Sequence, residues 1–240
     1  MTGAVAGIGS NIAIAVIAIQ LSLLWQYIYR YKPIEVSLSQ LPMIVACILT
    51  AGWAGSLVAR GVPMRRLTTI GLLAMAGAVA TLGLAGASAP YVFFAVPLAV
   101  AGAGVMLTQA PAAHAFVSRA PTNLVGAIGS SRTAFGQFGY AVGLALSSSL
   151  VYGMFTPLLG QRLAEAGATP AEQAQAIGIV HSWVHIHAAP GYDARLIHEV
   201  IDNGTSAYLQ SYLVTMLVMA SLIALVAGLC FWILSRQRPA

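Results

Sequence analysis

The chain has 240 residues, of which 59% are hydrophobic and only 7% are charged. Soluble domains carry about 25% charged residues, so this composition excludes an ordinary soluble enzyme and predicts an integral membrane protein. The net charge of +5 does not indicate a nucleic-acid partner, because the charges follow the membrane topology described below. Cys47 and Cys230 lie in separate apolar runs and provide neither a disulfide framework nor a metal-binding spacing.

Six segments contain the roughly 20 mostly apolar residues that a membrane-spanning helix needs. They predict an all-α membrane protein with one transmembrane domain over residues 1–240. The first segment is too long for a signal peptide and has no basic region before it, so we interpret it as a retained helix. The fourth and fifth segments exceed the bilayer thickness, which predicts tilted or bent helices. The predicted spans are 8–29, 41–59, 67–87, 91–117, 124–155 and 208–234.

Aromatic residues mark the ends of several predicted spans, where rings favour the headgroup level of the bilayer. Packing inside the helix bundle is the alternative for any single ring. The residues concerned are Trp25, Tyr27, Tyr29, Tyr31, Tyr91, Phe93, Phe94, Tyr208, Tyr212, Phe231 and Trp232.

The distribution of charged residues predicts the orientation. The short segment between the second and third spans carries Arg60, Arg65 and Arg66, and further basic residues follow the fourth and sixth spans. All six acidic residues fall on the other side. Because basic loops stay in the cytoplasm, we expect both termini to be cytoplasmic in a plasma (inner) membrane, with the lipid bilayer as a partner.

Residues 156–207 form a long polar segment that we predict to be an extracytoplasmic loop. Thr169, Pro170 and Glu172 have the pattern of a capping box at a helix start, and a second short helix at 192–201 is predicted to end at Asn203-Gly204. The first helix is amphipathic and is expected to lie on the membrane surface or to cap the bundle. Its apolar positions are Ala171, Ala174, Ile177, Val180 and Val184.

Histidines are concentrated in the same loop. His181 and His185 have an i, i+4 spacing that can bind zinc, and His187 and His198 follow. Because no cysteine or nearby carboxylate completes a ligand set, we predict neither a metal site nor a cofactor.

Arg132 is the residue that most strongly indicates function, because a charged residue near the membrane centre costs roughly 2.5–3.5 kcal/mol. It is expected to face a transport pathway, with Gln137 as the next most polar residue of the same span. The alternative is an arginine that reaches back to the cytoplasmic interface. No acidic residue lies within any predicted span, and no catalytic set is visible, so we do not expect an enzyme.

Small residues surround Arg132. Gly129, Gly136, Gly139 and Gly143 let another helix approach closely, and Gly139 with Gly143 forms a GxxxG pair. These glycines are expected to serve either static packing or sliding contacts between helices during gating.

Two stretches resemble the major facilitator superfamily. Gly55-Ser-Leu-Val-Ala-Arg60-Gly-Val-Pro-Met-Arg65-Arg66 is similar to that superfamily's cytoplasmic loop motif, with Ala59 in place of the usual Asp and Met64 in place of Gly. The stretch 120–143 resembles the penultimate helix of the fourteen-helix drug:proton antiporters. The long outer loop before the final helix also fits that subfamily.

This resemblance implies the C-terminal six-helix half of such a transporter, built as two inverted three-helix repeats. The implied activity is proton-coupled efflux of drug-like or amphipathic small molecules. The chain is then a half or truncated transporter, and an N-terminal half, a second copy or another membrane subunit is an expected partner. The alternative is a non-transporting regulatory or assembly protein derived from a transporter.

Overall fold

The computed structural model describes residues 2–85, 89–118, 125–174 and 194–236. These residues are largely helical, and no β-strand occurs among them. A further helical turn over residues 170–174 lies between the last two helices. In chain order the helices are α1 (Thr2–Tyr27), α2 (Pro33–Ser39), α3 (Leu41–Ala59), α4 (Met64–Gly83), α5 (Val92–Ser118), α6 (Val125–Glu165) and α7 (Ala194–Arg236).

Six helical segments of the described chain are long and apolar enough to cross a membrane. One is Pro33–Ala59, which joins α2 and α3 across Gln40, and the others lie in α1, α4, α5, α6 and α7. The predicted fold class, an all-α protein with six transmembrane helices, is therefore confirmed. The arrangement in two inverted repeats stays a prediction.

The first of two compact units comprises Met1–Ser147 and Met216–Ala240. Its central helix is α5, because α1, α3 and α4 all pack against it. Trp25 of α1 and Phe94 of α5 are both buried, and their rings meet edge to face with centroids 5.6 Å apart. Trp25 therefore packs inside the unit, whereas Phe231 and Trp232 near the end of α7 are exposed.

Glycines allow α5 to approach its neighbours closely. A Cβ atom added to Gly104 would lie 2.6 Å from the carbonyl oxygen of Gly71 on α4, and one added to Gly102 would collide with the carbonyl oxygen of Met43 on α3. Backbones packed this closely make many van der Waals contacts, which stabilise helix pairs in a membrane.

The second unit comprises Ser148–Thr215. Phe155, Leu159 and Leu163 recur at every fourth position of α6 and so share one helix face. They form an apolar cluster with Ala207 of α7. This cluster continues beyond the predicted membrane-spanning parts of both helices.

Both helices beside the predicted outer loop extend into it, and the extracytoplasmic position of residues 156–207 stays a prediction. α6 continues to Glu165 and α7 begins at Ala194, so residues 156–165 and 194–207 are helical. Asn203-Gly204 lies within α7 rather than ending a helix. Glycine inside a helix costs about 1 kcal/mol, and the apolar cluster that contains Ala207 offsets this cost.

A capping box is present in the segment after α6. The chain turns at Gly167, whose φ of 86° suits glycine. The backbone N–H of Thr169 donates to Oε2 of Glu172 at 2.7 Å, and the N–H of Glu172 donates to Oγ1 of Thr169 at 3.4 Å. The helix begins at Pro170, as predicted, but the apolar positions at Ile177, Val180 and Val184 lie outside the described residues.

Candidate functional site

Arg132 lies about two turns into α6, which begins at Val125. Its side chain is half-buried. Nη2 of the guanidinium donates a hydrogen bond of 3.0 Å to Oε1 of Gln109 on α5. Among the described residues, Gln109 is the hydrogen-bond partner of the guanidinium. No carboxylate of these residues pairs with Arg132.

A chain of hydrogen bonds continues from Gln109 to α1. Nε2 of Gln109 donates to Oγ of Ser10 at 2.7 Å, and Oγ of Ser10 donates to the carbonyl oxygen of Gly7 at 3.2 Å. Nδ2 of Asn11 donates to the same carbonyl oxygen at 2.8 Å. Polar side chains thus connect three helices of the first unit, α1, α5 and α6.

These helices surround a cavity of about 270 Å³ that is open on one side. Arg132 and Gln137 of α6 both line it, so the two predicted pathway residues share one cavity without bonding to each other. Phe116 of α5 and Phe135 of α6 supply aromatic surface, and Asn11 supplies an amide. The cavity therefore combines one cation, neutral polar groups and apolar rings.

The cavity lies at one end of the first unit, where α1 and α6 begin and α5 ends. At 1.5 Å per residue, Arg132, Gln109 and Ser10 lie about 10 to 14 Å from those helix ends. The start of α4 and the end of α7 lie together as well, because the Arg65 guanidinium is 4.9 Å from the centroid of the Phe231 ring. The predicted topology assigns these ends to the cytoplasmic side.

The glycines of α6 differ in their surroundings. A Cβ atom added to Gly139 would lie 2.6 Å from the carbonyl oxygen of Ile8, and one added to Gly143 would lie 2.8 Å from the backbone of Ile12. One added to Gly136 would lie 3.2 Å from the amide of Asn11, whereas the position of Gly129 is open. The GxxxG pair therefore faces α1, next to the cavity.

The residues of the predicted loop motif surround the short connection between α3 and α4. Arg60 follows the last residue of α3, and Gly61 adopts a φ of 76° that favours glycine. Arg65 and Arg66 lie in the first turn of α4, and Arg66 is exposed. Gly55, inside α3, has open space beside it.

The described residues contain no group of three His, Cys, Asp or Glu side chains that could hold a metal ion. His181, His185 and His187 lie outside the described residues, as does the side chain of His198. His114, near the end of α5, is exposed.

A second polar and aromatic cluster lies beyond the other end of α1. Tyr29 donates through its hydroxyl to the carbonyl oxygen of Ala89 at 3.3 Å, and Tyr91 donates to the carbonyl oxygen of Ser39 at 3.1 Å. Burial raises the pKa of both tyrosines, and the nearby Tyr31 raises it further. Both hydroxyls therefore stay protonated at neutral pH and act as donors that tie together the connections between helices.

The sequence predicted Arg132 and Gln137 as pathway residues, which stays a prediction, and it did not single out Ser10, Asn11 and Gln109, which belong to the same polar cluster. The sequence contained a signal for Asn11 and Gln109, because amides are uncommon in apolar helices. All three residues also lie near the predicted cytoplasmic ends of their spans. The missing information was the rotation of each helix about its axis, which decides which polar residues meet.

The fold and this cavity define a multi-pass membrane protein with a polar site among its helices. No protein-family model matches the chain. Over 150 residues, or 62% of its length, the chain is 28% identical to a tetracycline resistance determinant of Streptomyces rimosus. The match spans 42% of that protein, so the chain aligns with less than half the length of this relative.

Proposed function

We propose that this chain is part of an efflux transporter of the plasma membrane that exports drug-like or amphipathic small molecules. The observation that carries the proposal is the cavity around Arg132. A guanidinium held among membrane-spanning helices is costly, and a water-filled or ligand-filled cavity is the usual reason for such a residue to be kept.

The similarity to a tetracycline resistance determinant supports this proposal. A membrane protein can confer resistance by moving a drug out of the cell, and the cavity provides polar and aromatic surfaces for an amphipathic molecule. The resemblance to the drug:proton antiporters extends the proposal to proton coupling, with the chain acting as the C-terminal half of the transport path. No carboxylate lies within the spans predicted from the sequence, so we propose that the proton-carrying group belongs to a partner half.

The second candidate function is a non-transporting regulatory or assembly protein. Two sequence features favour it: the absence of acidic residues from the predicted spans, and Ala59 in place of the usual Asp of the loop motif. An enzyme is disfavoured, because the sequence of the predicted spans shows no catalytic set.

Drug accumulation distinguishes these functions. In the native host with this gene and the other efflux pumps deleted, so that any partner half is still supplied, we expect cells to accumulate less of a fluorescent amphipathic drug, and less tetracycline, when they produce this chain. Arg132→Ala should restore accumulation to the level of empty cells, whereas Arg236→Ala, which removes an exposed arginine outside the cavity, should not. Equal accumulation with and without the wild-type chain, at verified amounts in the membrane, would contradict transport by this chain and favour the second function.

A further inference from the structure

We propose that the Arg132 cavity binds its ligand through an anionic oxygen group, such as a carboxylate, sulfonate, phosphate or ionised enol. The inference rests on the proposed transport function and names the substrate class: amphipathic molecules that carry a negative charge.

No carboxylate of the described residues neutralises the charge of Arg132. Each acidic residue of the sequence lies outside the three segments that line the cavity, which fall within residues 3–11, 109–116 and 132–137. Gln109, the partner of the guanidinium within the described chain, is a neutral amide. A half-buried cation with only a dipole beside it is stabilised by any anion that enters.

Hydrogen-bond donors without a partner among the described residues line the same cavity. A guanidinium has five N–H groups in a planar fork that matches two oxygen atoms of an anion, and a single hydrogen bond, to Gln109, is formed with described residues. The amide of Gln137, also on the cavity wall, makes no hydrogen bond to a described residue. The cavity therefore offers donors, and none of its described lining residues is a competing carboxylate.

Aromatic surface next to the donors favours an amphipathic anion over a small inorganic one. Phe116 and Phe135 line the cavity together with Arg132, so an apolar body can pack on the rings while its charged group reaches the guanidinium. The volume of about 270 Å³ is near the lower limit for small-molecule sites, which start at roughly 300 Å³. The open side leaves room for a larger ligand to extend outward.

Two sources can supply this chemistry: a small organic anion and the headgroup of an anionic lipid. Arg132 lies about 10 Å from the start of α6, which is within reach of a headgroup drawn inward. Changing the lipid composition of the bilayer separates these two sources.

The experiment measures saturable binding of two aromatic probes to the full chain in lipid nanodiscs. The probe 8-anilinonaphthalene-1-sulfonate is anionic, and N-phenyl-1-naphthylamine is the same aromatic body without the sulfonate. Empty nanodiscs provide the background. In phosphatidylcholine nanodiscs we expect saturable binding of the sulfonate and at least about tenfold weaker binding of the neutral probe, a difference of ~1.4 kcal/mol.

Variants assign the binding to the cavity. We expect Arg132→Ala to weaken sulfonate binding at least about tenfold, and Arg132→Lys to weaken it less, because the charge remains while the planar fork is lost. Thr133→Glu places a carboxylate on the cavity wall beside an intact Arg132 and should also abolish sulfonate binding. Arg236→Ala is the matched control and should bind as wild type does.

The outcomes are distinguishable. Loss of sulfonate binding on adding phosphatidylglycerol, with binding intact in phosphatidylcholine, identifies the lipid headgroup as a competing occupant of the anion site. Equal binding of both probes, or sulfonate binding unchanged in both Arg132→Ala and Thr133→Glu, would overturn the inference. Sulfonate binding without drug export would support the anion site and contradict the transport function. Drug export without any preference for the anionic probe would support the transport function and contradict the anion site.

Discussion

The described arginines of this protein differ in what neutralises or covers their charge. Arg65 and Arg236 lie over the aromatic rings of Phe231 and Trp232, and Arg162 donates to side chains of α7. Arg132 instead bonds to one amide and borders open space. This difference is the reason to separate Arg132 from arginines that serve topology or packing.

Two glutamines of the first unit have opposite environments, which gives a matched test of stability. Gln20 is fully buried and neither atom of its amide has a hydrogen-bond partner in the described structure, whereas Gln109 bonds to both Arg132 and Ser10. A buried polar group without a partner costs about 1–3 kcal/mol. We expect Gln20→Met to raise the free energy of unfolding by about that amount and Gln109→Met to lower it.

Thermal unfolding of both variants in the same detergent, followed by tryptophan fluorescence, provides the measurement. Methionine has nearly the shape of glutamine, so packing changes little and the hydrogen bonds dominate. A midpoint for Gln20→Met as low as that for Gln109→Met would mean that Gln20 has a partner, contrary to the structure.

At the residue scale, the sequence predicts which residue types are out of place in a membrane but not which of them meet. Arg132 was identifiable because its charge interrupts an apolar run. The bond from Arg132 to Gln109 spans residues far apart in the sequence, and helix rotation is set by packing against α5, which periodicity within one helix does not determine.

At the scale of elements, most spans were predictable because about 20 apolar residues rarely occur except in a membrane helix. α3, at Leu41–Ala59, has the bounds predicted for the second span. The bounds of α6 and α7 were not predictable in this way, because these helices are stabilised beyond the apolar run by contacts with each other's side chains. α6, with 41 residues, is about 60 Å long, roughly twice the thickness of the hydrocarbon core.

The close contact between α1 and α6 depends on glycines of α6. This dependence leads to a second prediction about stability. Gly139→Val places methyl groups against the backbone of Ile8, where a Cβ atom alone would already lie 2.6 Å from an oxygen. We expect a loss of at least about 1–3 kcal/mol from overpacking, seen as a lower unfolding midpoint and a smaller yield of monodisperse protein.

Gly129→Val is the matched control for this prediction. It lies on the same helix but has open space beside it, so we expect a wild-type midpoint and yield. If both variants behaved alike, the close approach of α1 and α6 at Gly139 would be contradicted.

At the scale of the whole molecule, the exposed surfaces of the helices differ in chemistry. α3 exposes large apolar side chains, including Ile44, Ile48, Leu49 and Trp53, as expected for a surface in contact with lipid. The exposed positions around Arg132 on α6 include Ser130, Ser131, Thr133 and Gln137. Polar side chains on a membrane-spanning helix indicate water or protein rather than lipid, which agrees with a cavity that solvent can reach.

We propose that the Arg132 cavity fills with water and opens to the cytoplasm, and the accessibility of one cysteine tests this proposal directly. Thr133 is exposed and lines the cavity. Thr133→Cys would be made in a chain in which Cys47 and Cys230 are replaced by alanine. A membrane-impermeant maleimide would then be added to intact cells or to inside-out membrane vesicles.

Ile48→Cys, on the exposed apolar surface of α3, is the control and should remain unlabelled from both sides. We expect Thr133→Cys to be labelled in inside-out vesicles and not in intact cells. Labelling only in intact cells would contradict the predicted orientation, and absence of labelling from both sides would contradict a water-filled cavity at Arg132.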